Sequence, residues 1–344
     1  MITSKSIRIF FISLALVFLM VVIPHLTVKQ TWVSPPPHFK QKDIFKEIEP
    51  KLRLKPHDFN LKTSLIPPVS AGSDYDQAQA YGVVDFETGE VLASKNLSDK
   101  MPMASLTKIM TAVVSLDLAN PQEEFTVSQK AASTPPTKVM LKTGEKYSLN
   151  DLLSFLLITS ANDSAQVIKE GIDQKYGQEV FIKAMNKKAQ VIGLKNSSFT
   201  NPQGFDSENH YSSVEDLSLL SHYAMKNYPL ITQIVGQDHQ DLTYGWSDLR
   251  FYLNNWNGLL GLYPGVFGIK IGNTGKAGNC AIVLSERENE KVLVTLLGAP
   301  GVLERDFWTA ELLDLGFGKL AGLSSVNITE DQLRAKYASW KYFE

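Results

Sequence analysis

The order in which strand-like and helix-like patterns succeed one another constrains this chain more than any other feature. Residues 77–94 hold Ala-Gln-Ala-Tyr-Gly-Val-Val-Asp-Phe and Val-Leu-Ala-Ser on either side of Glu87-Thr-Gly-Glu90, which predicts an antiparallel hairpin. Helical spacing then takes over. Leu106, Ile109, Met110, Val113 and Val114 mark a largely buried helix over residues 103–118, behind Pro102. Ser148-Leu-Asn-Asp151 is a capping-box pattern ahead of Leu152, Leu153, Leu156 and Leu157. Another helix runs from Gln178 to a stop at Gly193, and a further one starts at Ser212 or Ser213, where Glu215 and Asp216 suit a positively polarised N-terminus. Strand-like runs follow at residues 266–271, 280–285 and 291–297, the last two joined by the polar turn Glu286 to Glu290, before a helix over 302–315. Strands, many helices, strands and a helix is not the alternation that builds a parallel sheet. It predicts an α+β fold, one antiparallel sheet covered by helices with a helical lobe inserted between its first and last strands.

What precedes the hairpin concerns address. Lys5 and Arg8 stand before residues 9–28, a stretch without Asp, Glu, Lys or Arg and about the roughly 20 residues a membrane-spanning helix needs. No A-x-A-like cleavage site follows, so the segment is expected to stay as a signal anchor behind a short cytoplasmic tail, residues 1–8, with the bulk of the chain outside the membrane. Residues 29–74, with Ser34-Pro-Pro-Pro37 and Pro67-Pro68 and many lysines, read as a linker. The main domain is then expected over 75–322. In the tail, 323–344, Thr329-Glu-Asp-Gln332 predicts a capped short helix carrying Leu333, Tyr337 and Trp340 on one face, to be packed on the domain or, as the less favoured alternative, laid against a membrane.

Composition excludes several function classes. A formal net charge of −2 and the absence of any block of like charge leave no basic field to gather nucleic acid. The lone Cys280, inside a strand pattern, forms no disulfide framework or thiolate cluster and reads as a small buried hydrophobe. The histidines at 25, 38, 57, 210, 222 and 239 match no metal-ligand spacing, so neither metal nor other cofactor is expected, and His210 reads as support for a loop near the site.

Ser105-Leu-Thr-Lys108 places a hydroxyl and an amine one helical turn apart on one face, a nucleophile with its own base. A helix N-terminus beside the hydroxyl adds N–H groups suited to negative charge developing on an attacked carbonyl. Short strings of this kind recur by chance. Ser94-Lys-Asn96 and Ser325-Val-Asn327 match a Ser-x-Asn pattern as well as Ser160-Ala-Asn162 does, and Lys142-Thr-Gly144 is a more literal Lys-Thr-Gly than Lys270-Ile-Gly272. Order and context select among them, because Lys270 ends a strand run that another strand follows, while Lys142 sits in a loop-like stretch ahead of a helix cap.

Taken in that order, Ser105-Leu-Thr-Lys108, Ser160-Ala-Asn162 and Lys270-Ile-Gly272 resemble the three signatures of penicillin-binding proteins and serine β-lactamases. Pro102-Met-Ala-Ser-Leu-Thr-Lys-Ile-Met-Thr111, Ser160-Ala-Asn-Asp163, Asn201-Pro-Gln-Gly-Phe205 and His210-Tyr-Ser-Ser213 narrow the resemblance, over about residues 75–320, to the low-molecular-mass D-alanyl-D-alanine carboxypeptidases. The resemblance implies a β-lactamase/transpeptidase-like fold and hydrolysis of D-Ala-D-Ala stem peptides of peptidoglycan, with β-lactams as inhibitors trapping the same serine. It implies Ser105 as nucleophile and Lys108 as its base, the latter kept neutral by burial and by the like charge of Lys270. It also implies a proton relay through Ser160 and Lys270, a substrate amide held by Asn162, and an oxyanion hole from the N–H groups of Ser105 and Asn273, the residue after Gly272.

Two positions depart from the pattern. Relatives usually carry Thr or Ser where this chain has Ile271, and that hydroxyl helps bind the substrate's terminal carboxylate; Arg305, at the start of the last helix, is the expected substitute, since a guanidinium fork suits a carboxylate. Phe267 stands where many relatives have aspartate. A glutamate-dependent β-lactamase needs Asn four residues after a Glu between the second and third motifs, and Glu170, Glu179, Glu208 and Glu215 are followed there by Gln, Lys, Ser and Leu. The alternatives carried forward are a D,D-endopeptidase and an attenuated peptidoglycan-binding protein of the same fold.

Overall fold

Both ends of the main domain contribute to one sheet. In the computed structural model, residues 48–52, 57–63, 73–244 and 249–340 are described. β1 (Ala80–Asp85) and β2 (Val91–Lys95) form the opening hairpin, and β7 (Val266–Thr274), β8 (Gly278–Arg287) and β9 (Glu290–Ala299) return about two hundred residues later. The order is β2-β1-β9-β8-β7, antiparallel throughout, with β9 pairing β1 from Ala80↔Leu297 to Asp85↔Val292. The predicted Glu286 to Glu290 turn is a tight one in which Glu288 and Asn289 both take positive φ, 51° and 67°, the backbone a two-residue hairpin requires.

The pleat divides the core. On β9, Val292, Val294 and Leu296 join the apolar cluster that includes Trp308, Leu312, Leu313 and Phe317 of the C-terminal helix, while Leu293 and Leu297 join the cluster of the helical lobe. Thr295, facing the lobe, shares a 2.9 Å hydrogen bond with Ser218.

That lobe comprises α1 (Lys108–Leu118), α2 (Gln129–Ala132), α3 (Leu149–Leu157), α4 (Asn162–Tyr176), α5 (Val180–Ile192), α6 (Val214–Asn227) and α7 (Pro229–Val235), with small hairpins of β3 (Glu124–Thr126) with β4 (Lys146–Ser148) and β5 (His239–Tyr244) with β6 (Leu249–Asn254). α8 (Val302–Ala321) covers the other face, and α9 (Glu330–Ala338) packs on it. Ser148 and Ser213 cap α3 and α6 by accepting the Asp151 and Asp216 N–H groups, and Gly193 ends α5 in the left-handed region, as the sequence patterns predict. Thr329 and Gln332 form a full capping box on α9.

Three expectations are corrected. The helix expected over 103–118 is a 3₁₀ turn, Ala104–Thr107, followed by α1, because Ala104 enters it with φ at 49°. The stretch read as linker contains Ile48 and Leu52, both buried in the core, and Lys62, which bridges to Glu90. α8 runs on to Ala321, past the expected end at 315. The expected span 9–28 lies outside the described residues; among those described, no helix is long and apolar enough to cross a membrane.

Candidate active site

The edge strand β7 lies against the 3₁₀ turn that carries Ser105. The approach is close enough that a Cβ on Gly272 would stand 2.7 Å from the Ser105 backbone nitrogen, so only glycine leaves the turn and the strand side by side. Being the outer strand of its sheet, β7 keeps one row of backbone groups unpaired on this side. Residues 200–205 cross beneath. The Asn201 side-chain oxygen accepts the N–H groups of Gly204 and Phe205, and Gly204, at φ 96°, passes against the carbonyl of Ala104 where a side chain has no room. A chain of polar contacts fixes the same turn: Thr200 N–H donates to His210 Nδ1, so His210 Nε2 carries the proton and donates to Thr107 Oγ1, whose hydroxyl donates to Ala104 O. Burial pushes His210 down to about 4, in keeping with a neutral ring. His210 is thus a support of the site, as expected.

Lys108 is fully buried, and its Nζ lies 2.8 Å from Ser105 Oγ and donates to Asn162 Oδ1 (2.8 Å) and the Gln203 carbonyl (2.7 Å). Burial, and then the charge of Lys270, hold its pKa well below the usual lysine range. A neutral amine has two N–H bonds and one lone pair. With Asn162 Oδ1 and Gln203 O taking the two N–H bonds, the lone pair is left for the Ser105 hydroxyl, the arrangement of a nucleophile beside its base. Lys270 is also buried, pushed down to about 7 by burial and then by the Arg305 guanidinium, and its Nζ donates to the Ile271 carbonyl at 3.1 Å.

The three partners of Lys108, namely Ser105, Asn162 and Gln203, line a cleft of about 520 Å³, while both lysines lie behind its wall. Ser105, Ser160, Asn162, Gly272 and Asn273 line it together, as do Ile271 and Arg305. Ser160, held at φ 63°, faces the cleft, but no hydrogen bond joins it to either lysine among the described residues, so the relay through Ser160 and Lys270 is not preformed. Asn162 already spends Oδ1 on Lys108 and Nδ2 on the Pro135 carbonyl (3.1 Å), which makes it first an orienting group for the amine. Arg305 is buried, with Nε and Nη2 on the Asp306 carboxylate (2.7 and 2.8 Å) and Nη2 also on the Trp256 carbonyl (2.9 Å); Nη1 takes part in none of these bonds. The decoys stand elsewhere: Ser94, Lys142 and Ser325 do not line the cleft, and Cys280 is buried, its thiol pushed up to about 12. No group of His, Cys, Asp or Glu able to hold a metal occurs among the described residues.

The model of the D-alanyl-D-alanine carboxypeptidase family matches residues 68–301. The chain belongs to that family. Members similar to it include the carboxypeptidase DacF of Bacillus subtilis, 32% identical over 275 residues, 78% of this chain and 70% of that protein. A D-alanyl-D-alanine endopeptidase of Pseudomonas aeruginosa is also 32% identical, over 69% of this chain and 77% of its own. Penicillin-binding protein D2 of Listeria monocytogenes, solved with ampicillin bound, superposes with a TM-score of 0.61 at 30% identity, covering 70% of this chain and 97% of that one. The carboxypeptidase DacD of Francisella tularensis gives a TM-score of 0.66 at 25% identity, over 74% and 73% of the two chains. The fold is therefore the penicillin-binding, transpeptidase-like α+β fold that the sequence predicts.

Four lining groups are not among the candidate site residues read from the sequence. The Gln203 carbonyl is a backbone atom, Thr137 belongs to a loop without periodicity, and Trp256 and Trp340 come from a loop and from the tail.

Proposed function

We propose that this protein is a serine D-Ala-D-Ala carboxypeptidase of peptidoglycan stem peptides, acylated at Ser105 and inhibited by β-lactams through the same serine. The observation that carries the reading is the 2.8 Å contact of the Ser105 hydroxyl with a buried lysine whose other two partners are fixed acceptors. Ser105 Oγ attacks the carbonyl carbon between the two D-alanines while its proton passes to Lys108 Nζ. The oxyanion is met by the Ser105 and Asn273 N–H groups, between the turn and β7, in a site arranged before substrate arrives. The C–N bond then breaks and the leaving amine takes up the proton, directly from Lys108 or through Ser160 and Lys270. D-alanine leaves at that step; water then hydrolyses the acyl-enzyme by the reverse route, releasing the shortened peptide and restoring the Ser105 hydroxyl. Arg305, through its uncommitted Nη1, meets the terminal carboxylate in place of the hydroxyl that Ile271 lacks. The composition of residues 1–28 supports a domain held outside a membrane by an uncleaved anchor.

The test is labelling by a fluorescent penicillin together with D-alanine release from an acyl-D-Ala-D-Ala peptide. Wild type is expected to do both, and Ser105→Ala to lose each by at least about a thousandfold. Absence of both from wild type overturns the enzyme reading. Ile271, on the cleft wall, favours one second reading: labelling without release, restored by Ile271→Thr, identifies an attenuated peptidoglycan-binding protein.

A further inference from the structure

Trp340 and Trp256 wall the same cleft as Ser105 and Arg305, although one belongs to the tail and the other to the loop before β7. Their rings meet edge to face with centroids 5.2 Å apart, and Tyr337 lies tilted against Trp340 at 4.8 Å. The Trp340 Nε1–H is buried without a hydrogen-bond partner, so this ring is held by packing against other rings and acts as a wall, not as a hydrogen-bonded post. The tail that carries it is tied down. Leu333 is buried in the apolar cluster under α8, Lys336 Nζ reaches Asp238 Oδ1 at 2.6 Å, and Tyr337 OH donates to Asp306 Oδ2 at 2.8 Å. Asp306 is the carboxylate that grips Arg305, and the Trp256 carbonyl accepts from the same guanidinium. Ser105, Gly272, Ile271, Arg305 and both indoles thus wall one cleft, with Trp256 against the Arg305 guanidinium and Trp340 against Trp256.

We infer that Trp340, set edge to face against Trp256, closes the leaving-group end of the cleft just beyond Arg305, so that the site takes a single small C-terminal residue with a free carboxylate and rejects a leaving group that continues into further chain. The inference rests on the proposed carboxypeptidase reading, which places the carboxylate at Arg305. It decides between two activities that kinship leaves level, since a carboxypeptidase and an endopeptidase are both 32% identical to this chain. A cross-linked peptide carries more chain on the leaving amine, and that chain must pass where the indoles stand. Trp340 is a specificity-determining residue here and takes no part in bond breaking.

The experiment compares wild type with Trp340→Ala on two substrates, acyl-D-Ala-D-Ala and the same peptide whose last residue is a D-amino acid that keeps its free carboxylate but carries a further residue on its side chain, with penicillin labelling as a measure of the intact Ser105 machinery. Wild type is expected to favour the unextended peptide by at least about a hundredfold in kcat/KM, and Trp340→Ala to shrink that ratio by about tenfold or more while still being labelled at Ser105. Equal cleavage of the two peptides by labelled wild type, or an unchanged ratio in the variant, overturns the inference. Trp340→Leu, which keeps apolar bulk on the tail but not the reach of an indole, is expected to fall between the two, so a folding defect in the alanine variant does not shelter the claim. Failure of wild type to label at all counts against the Ser105 reading itself.

Discussion

At the scale of single residues, the site turns on the protonation of Lys108. The Ser105 proton can pass to Lys108 only when the amine is neutral, so acylation is expected to fall with acid as Lys108 protonates. Burial and the Lys270 charge both hold that limb low. Lys270→Met removes a positive neighbour, so the Lys108 pKa rises and the acid limb of penicillin labelling should move to higher pH. Rates of labelling measured from acid to alkaline pH check this; an unmoved limb shows that the two amines do not sense one another. Gly272→Ala is the steric counterpart. Its Cβ forces β7 and the Ser105 turn apart, and an ångström of misplacement costs about a hundredfold in rate, with a thermal midpoint close to wild type. Ser105 and Lys108 are legible from sequence because their contact is local, three residues apart. Asn162, Gly272 and Lys270 are legible only as motifs, since the fold brings them in from α4 and β7. Gln203 falls within the Asn201-to-Phe205 motif, yet the role of its carbonyl is hidden there, because any residue supplies a carbonyl and only the loop's path makes this one a partner of Lys108.

At the scale of elements, the sequence reveals those that bury a periodic apolar face or carry a side-chain cap. β7, β8, β9, α3 and α6 meet one or both conditions. α4 meets neither: its N-cap, Ala161, offers no side-chain bond, and its interior holds Gly171, where the Phe125 ring of β3 presses on the backbone and leaves no room for a Cβ. The β5–β6 hairpin is hidden for another reason. On β5 the more buried positions are Gln240, Leu242 and Tyr244, and a polar residue among them erases the alternation. The lobe also holds a pair that periodicity cannot foresee, Lys188 on α5 and Asp117 on α1, 2.6 Å apart and without solvent exposure, with Tyr228 OH donating to Asp117 Oδ1 at 2.8 Å. Lys188→Met strands a buried carboxylate and is expected to lower stability by about 3–5 kcal/mol, while the double variant Lys188→Met, Asp117→Leu should recover most of that loss. Urea unfolding of the three proteins checks it, and equal midpoints for the single and double variants show that the charges are not coupled.

At the scale of the whole molecule, the sheet joins residues 80–95 to residues 266–299, so β7 reaches the Ser105 turn only once both ends of the domain have paired. The segment ahead of β1 is where composition misleads. Its prolines and lysines read as a solvated linker, yet Ile48 and Leu52 sit in the lobe's core, the Phe59 ring stacks on His222 with centroids 3.5 Å apart, and Lys62 exchanges backbone hydrogen bonds with Gly89 and Val91 beside β2. Two apolar side chains do not make a pattern, and their burial depends on a groove that exists only once the lobe has folded. A soluble chain of residues 44–344 should therefore be more stable than one of residues 73–344, by about 3–6 kcal/mol if each buried aliphatic contributes about 1.5–3 kcal/mol. The difference should shrink in acid. His222 is pushed from its ordinary 6.5 down to about 3 by burial first and then by His57, itself lowered by burial. Folding therefore favours the neutral rings, a contribution present above about pH 6.5 and lost as the pH falls towards 3. Urea midpoints of both chains at pH 8 and about pH 5 test both halves of the claim. Coincident midpoints at pH 8 show that the segment only rests on the surface, and a gap that does not narrow in acid shows that the apolar contacts hold it without help from the histidines.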